Sequence, residues 1–303
     1  MDRGLMRAMV RGAYDFQKIR IQIGQRIVAN FKSKLGIEPG TKEKDNAQAK
    51  KILAQLNKDY KLITESIIDK RISRKKFAAS GIINDFAEFL LVNQYMEIFP
   101  KEKKLFANVE AYVLEAPVYT GFMKGVLGLG PAVAGVILSE VDIVEATTVS
   151  KLYAYCGVDV AKDGKGRSRR KEHQIKREYT NKEGDICLKD SITFNPFLKT
   201  KLMGVLAANL LKAHGKSVKN GGEGSKYGHV YYDYRKRIDN HPNHKDKRPA
   251  HLNMMGLRYM VKILLLDLWL FWRELEGLEV TPPYHEAKLG LLHGGKSVTK
   301  RAA

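Results

Sequence analysis

Cysteine is nearly absent: the chain of 303 residues has two, Cys156 and Cys187, far apart and without a Cys-x-x-Cys spacing. That argues against a disulfide framework and a cysteine-based zinc site, and it fits a reducing compartment. No long apolar run occurs either. The most apolar stretch, Ile263 to Trp272, has Asp267 in its middle and Lys262 before it. It falls well short of the roughly 20 apolar residues that a bilayer-spanning helix takes. The N-terminus, MDRGLMRAMVRGAYDF, scatters charges where a secretory signal needs an apolar segment. The sequence therefore reads as a soluble, cytoplasmic protein with no membrane partner. Acidic residues are the scarcer charge, 33 Asp and Glu against 53 Lys and Arg, a formal net charge of +20. Such an excess repels itself in a compact state, and a polyanion is the usual compensating partner, so nucleic acid is expected in preference to a merely basic soluble surface.

What is present is mostly helical periodicity. Residues 5 to 34 place Leu5, Met9, Ala13, Phe16, Ile19, Ile23, Ile27, Val28 and Phe31 at spacings of three and four, with Arg and Lys on the other faces. Gly36, Pro39 and Gly40 end that helix. A second, over roughly 45 to 71, carries Ile52, Leu53, Leu56, Tyr60, Ile63, Ile67 and Ile68; a third, over 80 to 98, is expected to stop before Pro100. These helices make residues 1–100 an arm, read either as a dimerisation device or as a plain bundle. Residues 101–289 form the second domain. Within it, alternation at Ile186, Leu188, Ile192 and Phe194 suggests one small β-hairpin, and helices resume at 197–213, 227–240 and 250–275. KNGGEGSKYG, 219 to 228, reads as a flexible linker, and the tail 290–303 as disordered. The expected fold class is mainly α: a long helical arm, then a helix-hairpin-helix domain with a basic loop and a small β-hairpin.

The hairpin is read from Val126-Leu127-Gly128-Leu129-Gly130-Pro131-Ala132-Val133-Ala134-Gly135-Val136-Ile137-Leu138. Gly128 and Gly130 allow a tight turn and let the backbone approach a phosphate closely. Leu129 plugs the turn, and Pro131 suits a first helical position, where its missing N–H costs nothing. The free N–H groups of that helix would then face a phosphate oxygen. The same spacing also marks ordinary helix–helix turns. A base-excision glycosylase would need a catalytic Asp about twenty residues on. Asp142 comes too early for that and Asp159 too late.

The basic loop is Lys162, Lys165, Arg167, Arg169, Arg170, Lys171, Lys176 and Arg177, eight cations in sixteen residues against Asp163 and Glu172. Arginine forks clamp phosphate bidentately, and the interspersed glycines would keep the span mobile until it orders on a backbone. Further on, Tyr227, Tyr231, Tyr232, Tyr234, Arg235 and Arg237 interleave aromatics with cations, either to stack bases or as a core stripe with a wet edge. Leu257, Met260, Val261, Leu264, Leu265, Leu268, Trp269 and Trp272 read as core. His241, His244 and His251 near Asp246 lack a regular ligand spacing, so no metal site is expected on this chain.

GLGPAVAGVILSEVDIVEATTVSKLYAYCGV, 128 to 158, resembles the C-terminal domain of the IS110/IS116/IS902 transposases. The likeness is carried by Gly128, Gly130, Pro131, Glu140, Leu152, Tyr155 and Gly157, and extends to about residues 115–215. It implies a DNA recombinase of two parts. A RuvC-like domain supplies an acidic Mg²⁺ cluster, and the C-terminal domain supplies a serine nucleophile and DNA contacts. It also implies homo-oligomers and, in some members, a bridging RNA. This chain opens directly in the helical arm, so Mg²⁺ is expected only if a RuvC-like partner chain completes it. The family's serine position holds Asp163-Gly164, and Ser168 is the nearest hydroxyl. The resulting expectation is a nucleoid-associated DNA-binding protein of transposition and recombination, without complete catalytic machinery of its own. The alternatives are a non-enzymatic RNA- or DNA-binding accessory protein and a complete recombinase using Ser168.

Overall fold

In the computed structural model, residues 2–65 and 73–282 are described; Ile67, Ile68 and the tail 290–303 lie outside them. The architecture is mainly α with one two-stranded antiparallel sheet. The chain divides into two units, one of residues 8–109 and one of residues 110 onward together with the first seven.

In the first unit, α1 (Arg3–Lys34), α2 (Lys42–Glu65) and α3 (Phe86–Leu114) share a core. Ile27, Phe31, Leu56, Ile63, Ile83 and Phe89 are buried in it. Of the apolar stripe expected on α1, Ala13, Ile27 and Phe31 are buried and Ile23 and Val28 pack against the core, whereas Leu5 is 53% exposed and Met6 and Val10 are buried near it instead. The larger departure is α3, which runs through Pro100 instead of stopping before it. Proline removes one helical hydrogen bond and crowds the preceding turn. The helix continues because the residues beyond it are anchored. Glu102 is buried and ion-paired with Arg20, Phe106 packs edge-on against Tyr14 with ring centres 5.1 Å apart, and Val109 is buried.

The second unit is built round α5 (Pro131–Glu140), whose residues from Val133 to Glu140 are all buried. Before it come the short α4 (Pro117–Gly121) and a 3₁₀ turn at Met123–Gly125. After it, α6 (Val149–Cys156) is capped by the Thr148 hydroxyl, which accepts the Lys151 N–H. Strands β1 (Ile175–Thr180) and β2 (Ile186–Ser191) pair with Thr180 opposite Ile186. The hairpin is exposed, with Ile186 at 74%. Helix α7 (Pro196–Lys201) continues through a π-helical turn, Leu202–Leu206, into α8 (Ala207–Lys219). The stretch read as a flexible linker is fastened: Ser225 donates its N–H to the buried His214 ring and caps α9 (Lys226–Asp239). The last helix, α10 (Pro249–Leu275), runs beside α9 and buries Trp269, whose indole N–H donates to Ala146 O at 2.6 Å.

Glu140 ties these pieces together. It is buried, accepts the Asn195 amide at 2.6 Å, and its carbonyl accepts the Tyr155 hydroxyl at 2.9 Å. No helix among the described residues is long and apolar enough to cross a membrane.

A proline inside a helix costs about 3 kcal/mol, and here packing offsets that cost instead of avoiding it. Pro100→Ala is therefore expected to stabilise the protein by about 1–3 kcal/mol, read as a higher urea midpoint. A lower midpoint would mean that the proline is required by the helix path.

Candidate nucleic-acid interface

The turn between α4 and α5 has the expected form in part. Leu129 is buried, Gly130 stands at the N-cap of α5 with extended backbone, and Pro131 occupies the first turn. The two glycines do different work. Gly128 has φ +97°, and a Cβ there would lie 2.7 Å from Asn209 O and 2.9 Å from the Leu210 Cα. The close approach that the turn needs at Gly128 is thus to the backbone of α8. At Gly130 a Cβ would meet nothing within 4 Å, and the residue is exposed.

The basic loop is ordered rather than mobile. It leaves α6 at Asp159 and closes on itself: Ala161 N donates to Lys165 O at 2.8 Å and Arg167 N to Asp159 O at 3.1 Å. The Arg167 guanidinium forks onto the Asp159 carboxylate, with its shortest contact at 2.6 Å. His173 is buried beneath the loop. Its Nδ1 accepts the Ser168 N–H at 2.9 Å, with the Ser168 hydroxyl 3.1 Å away, and its Nε2 faces Asp163 Oδ2 at 3.1 Å. Since Nδ1 accepts, the ring proton sits on Nε2 and points at the carboxylate. Asp163 is held below the usual carboxylate range, first by the Lys165 N–H and then by His173 and Arg170. Arg170 also donates its Nε–H to the Ser168 hydroxyl at 3.0 Å.

These ties sort the expected phosphate contacts. Arg167 is committed to Asp159, and Arg170 to Ser168 and Asp163. Lys176 pairs with Asp190 across the hairpin at 2.9 Å. Lys162, Lys165, Arg169 and Lys171 are exposed on the loop, and Arg177 is exposed on β1.

Behind the loop lie cations that sequence reading missed. Lys199, in the last turn of α7, donates to Arg167 O. Burial, with Arg258 adding to it, brings its ammonium down to about 8. Arg258 and Lys262 are half-buried on α10, and burial lowers both from their ordinary values. All three are set against Asp159. The signal was available: His251, Met255, Arg258, Tyr259 and Lys262 recur at helical spacing on the face of α10 opposite Met260, Val261 and Leu264. The aromatic–basic segment divides. Tyr227 and Tyr231 are buried and bonded to Asp267 and Asn253, whereas Tyr234 stacks on Tyr259 at 4.3 Å with Arg237 over both rings.

Among the described residues no group of three or more His, Cys, Asp or Glu side chains is placed to hold a metal ion. Compared with protein-family models, with curated proteins and with solved structures, the chain matches none.

The unequal glycines make a direct test. Gly128→Ala is expected to destabilise by about 2–4 kcal/mol, from a left-handed backbone plus a backbone clash. Gly130→Ala should stay within about 0.5 kcal/mol of the parent. Equal losses in urea melts would refute this division of roles.

Proposed function

We propose that the protein binds DNA through the loop 162–171 and acts in transposition or recombination, in the cytoplasm and at the nucleoid. The observation that carries the reading is an ordered loop holding Lys162, Lys165, Arg169 and Lys171 in solvent while its other charged groups are spent on fixing its shape. A preorganised array of cations meets a phosphate backbone without a large ordering penalty. The open Gly130 at the head of α5 offers a further backbone approach for phosphate. The transposase part of the proposal rests on the motif likeness of residues 128–158, and it carries the expectation of a homo-oligomer, a bridging RNA and a RuvC-like partner with its Mg²⁺. A non-enzymatic accessory protein that binds RNA or DNA would use the same loop.

The test is the salt dependence of duplex binding. Each neutralised phosphate contributes about −0.9 to the slope of log K against log salt. Replacing Lys162, Arg169 and Lys171 together by Ala should flatten that slope by about 3. Arg167 is left out because its loss would open the loop. No binding at low salt, or a slope indifferent to the three changes, sinks the proposal.

A second reading has its own observation, the Ser168–His173–Asp163 chain, which has the groups of a serine nucleophile and its base. Its geometry favours a staple. The single lone pair of Nδ1 already takes the Ser168 N–H, and Arg170 donates onto the hydroxyl oxygen that would have to attack. The expected outcome is therefore no covalent adduct on a denaturing gel after incubation with labelled element-end DNA, Mg²⁺ and a candidate RNA. An adduct that disappears in Ser168→Ala would establish the serine chemistry instead.

A further inference from the structure

A cavity of about 440 Å³ opens between the loop and the last two helices, lined among others by Lys165, Gly166, Tyr234, Arg258, Tyr259 and Lys262. Its charge is out of balance. The Arg258 Nε is buried with no hydrogen-bond partner among the described residues. The Arg258 guanidinium lies against Gly166 so closely that a Cβ there would collide with it. The neighbouring carboxylate, Asp159, is already forked by Arg167. Lys262 is half-buried beside it, and Lys165 and Lys247 add two more cations to the lining. Asp163 is the acidic residue of the lining, and it is engaged by His173, Arg170 and the Lys165 N–H.

Cations withdrawn from water without a counterion are costly, and a cluster of them is stabilised by an anion with several acceptor oxygens. A phosphate is such an anion, and arginine is the side chain whose fork matches it. Aromatic rings also line the cavity: Tyr234 and Tyr259 stack on each other at 4.3 Å and 15°, with Arg237 close to both rings. A site for phosphate beside aromatic rings is the chemistry that takes a nucleotide. The volume lies in the range of single small-molecule sites, about 300–1,000 Å³, which a paired duplex cannot enter.

We propose that this cavity takes one unpaired nucleotide, with its phosphate on Arg258 and Lys262 and its base against the Tyr234–Tyr259 pair. The nucleic-acid reading of the neighbouring loop supplies the source, a strand end or an extruded base, and the inference rests on that reading to this extent. Stacking one base on an aromatic side chain is worth about 1–3 kcal/mol, so a preference of about fivefold or more for a duplex with an unpaired end over a blunt duplex is expected.

The experiment uses the full chain at low salt, with melting temperature and fluorescence anisotropy as readouts. A deoxynucleoside monophosphate should raise the melting temperature more than inorganic phosphate does, and the oligonucleotide with an unpaired end should bind more tightly than the blunt one. Arg258→Met keeps the stem and removes the unbalanced charge. It should melt no lower than the parent without ligand, yet lose both the nucleotide-induced rise and the end preference. Lys262→Met is the second variant and should lose them in part; Tyr259→Leu should reduce the nucleotide's effect to that of inorganic phosphate. Equal effects of nucleotide and phosphate in the parent would overturn the nucleotide assignment. A nucleotide effect without any end preference would overturn the strand as its source and leave a free nucleotide. Duplex binding absent with the nucleotide effect intact would sink the loop reading while the cavity assignment stands, and a preference that survives in both Met variants would sink the cavity.

Discussion

Arg167, Lys199, Arg258 and Lys262 are all set against the carboxylate of Asp159, and most of what is distinctive in the second unit depends on that imbalance. Asp159 sits just past the end of α6, so the fold of the buried helices decides where the charge stands. Arg167 takes both of its oxygens and thereby closes the loop, with Gly166 lying against Arg258. One carboxylate cannot neutralise four cations. Burial, with Arg258 adding to it, lowers Lys199 to about 8, and burial lowers Arg258 and Lys262. The arrangement holds because α10 is fixed elsewhere, by Trp269 on Ala146 O and by Arg273 on Ile143 O at 2.9 Å.

How much of this was legible in the sequence follows the range of the interactions. Helix class and the Gly-Pro start of α5 are local matters, and periodicity with capping chemistry located them; the small hairpin was expected, but Ile192 and Phe194 fall beyond β2 and its first strand takes Lys176 and Arg177 from the stretch read as the basic loop. Pro100 was misjudged because its local cost is real, while the packing of Glu102 and Phe106 that outweighs it joins residues more than eighty positions apart. The linker was misjudged for the same reason. Its glycines and serine look mobile until His214, eleven residues before Ser225, accepts a backbone N–H. Neither partner announces the other in a single sequence.

The loop shows a subtler limit. Counting eight cations treats them as equivalent, and the structure does not: Arg167 and Arg170 build the loop, Lys176 pairs across the hairpin, and the exposed ones remain for a ligand. His173 was invisible as a functional partner because a lone histidine in a polar run has no signature. Its burial, and its bonds to Ser168 and Asp163, appear once residues 163 to 173 fold over it. Gly128 is a parallel case, since a glycine needed for close approach does not say what approaches.

Two kinds of cation would then face a nucleic acid in the proposed reading, and salt separates them. Charges on Lys162, Lys165, Arg169 and Lys171 stand in solvent, where interactions beyond about 8–10 Å are screened at physiological ionic strength. In the proposed reading they would act on approach and orientation, with an effect that falls steeply with salt. Arg258 and Lys262 are withdrawn behind the loop, where screening is weaker and each hydrogen bond to a charged group counts for more. A strand drawn in by the exposed set would be retained by the withdrawn set only where a phosphate is free to leave the duplex path. The bonds that Asp159 and His173 make hold the loop in place over the withdrawn set, so in the proposed reading capture and retention would be successive steps at one site.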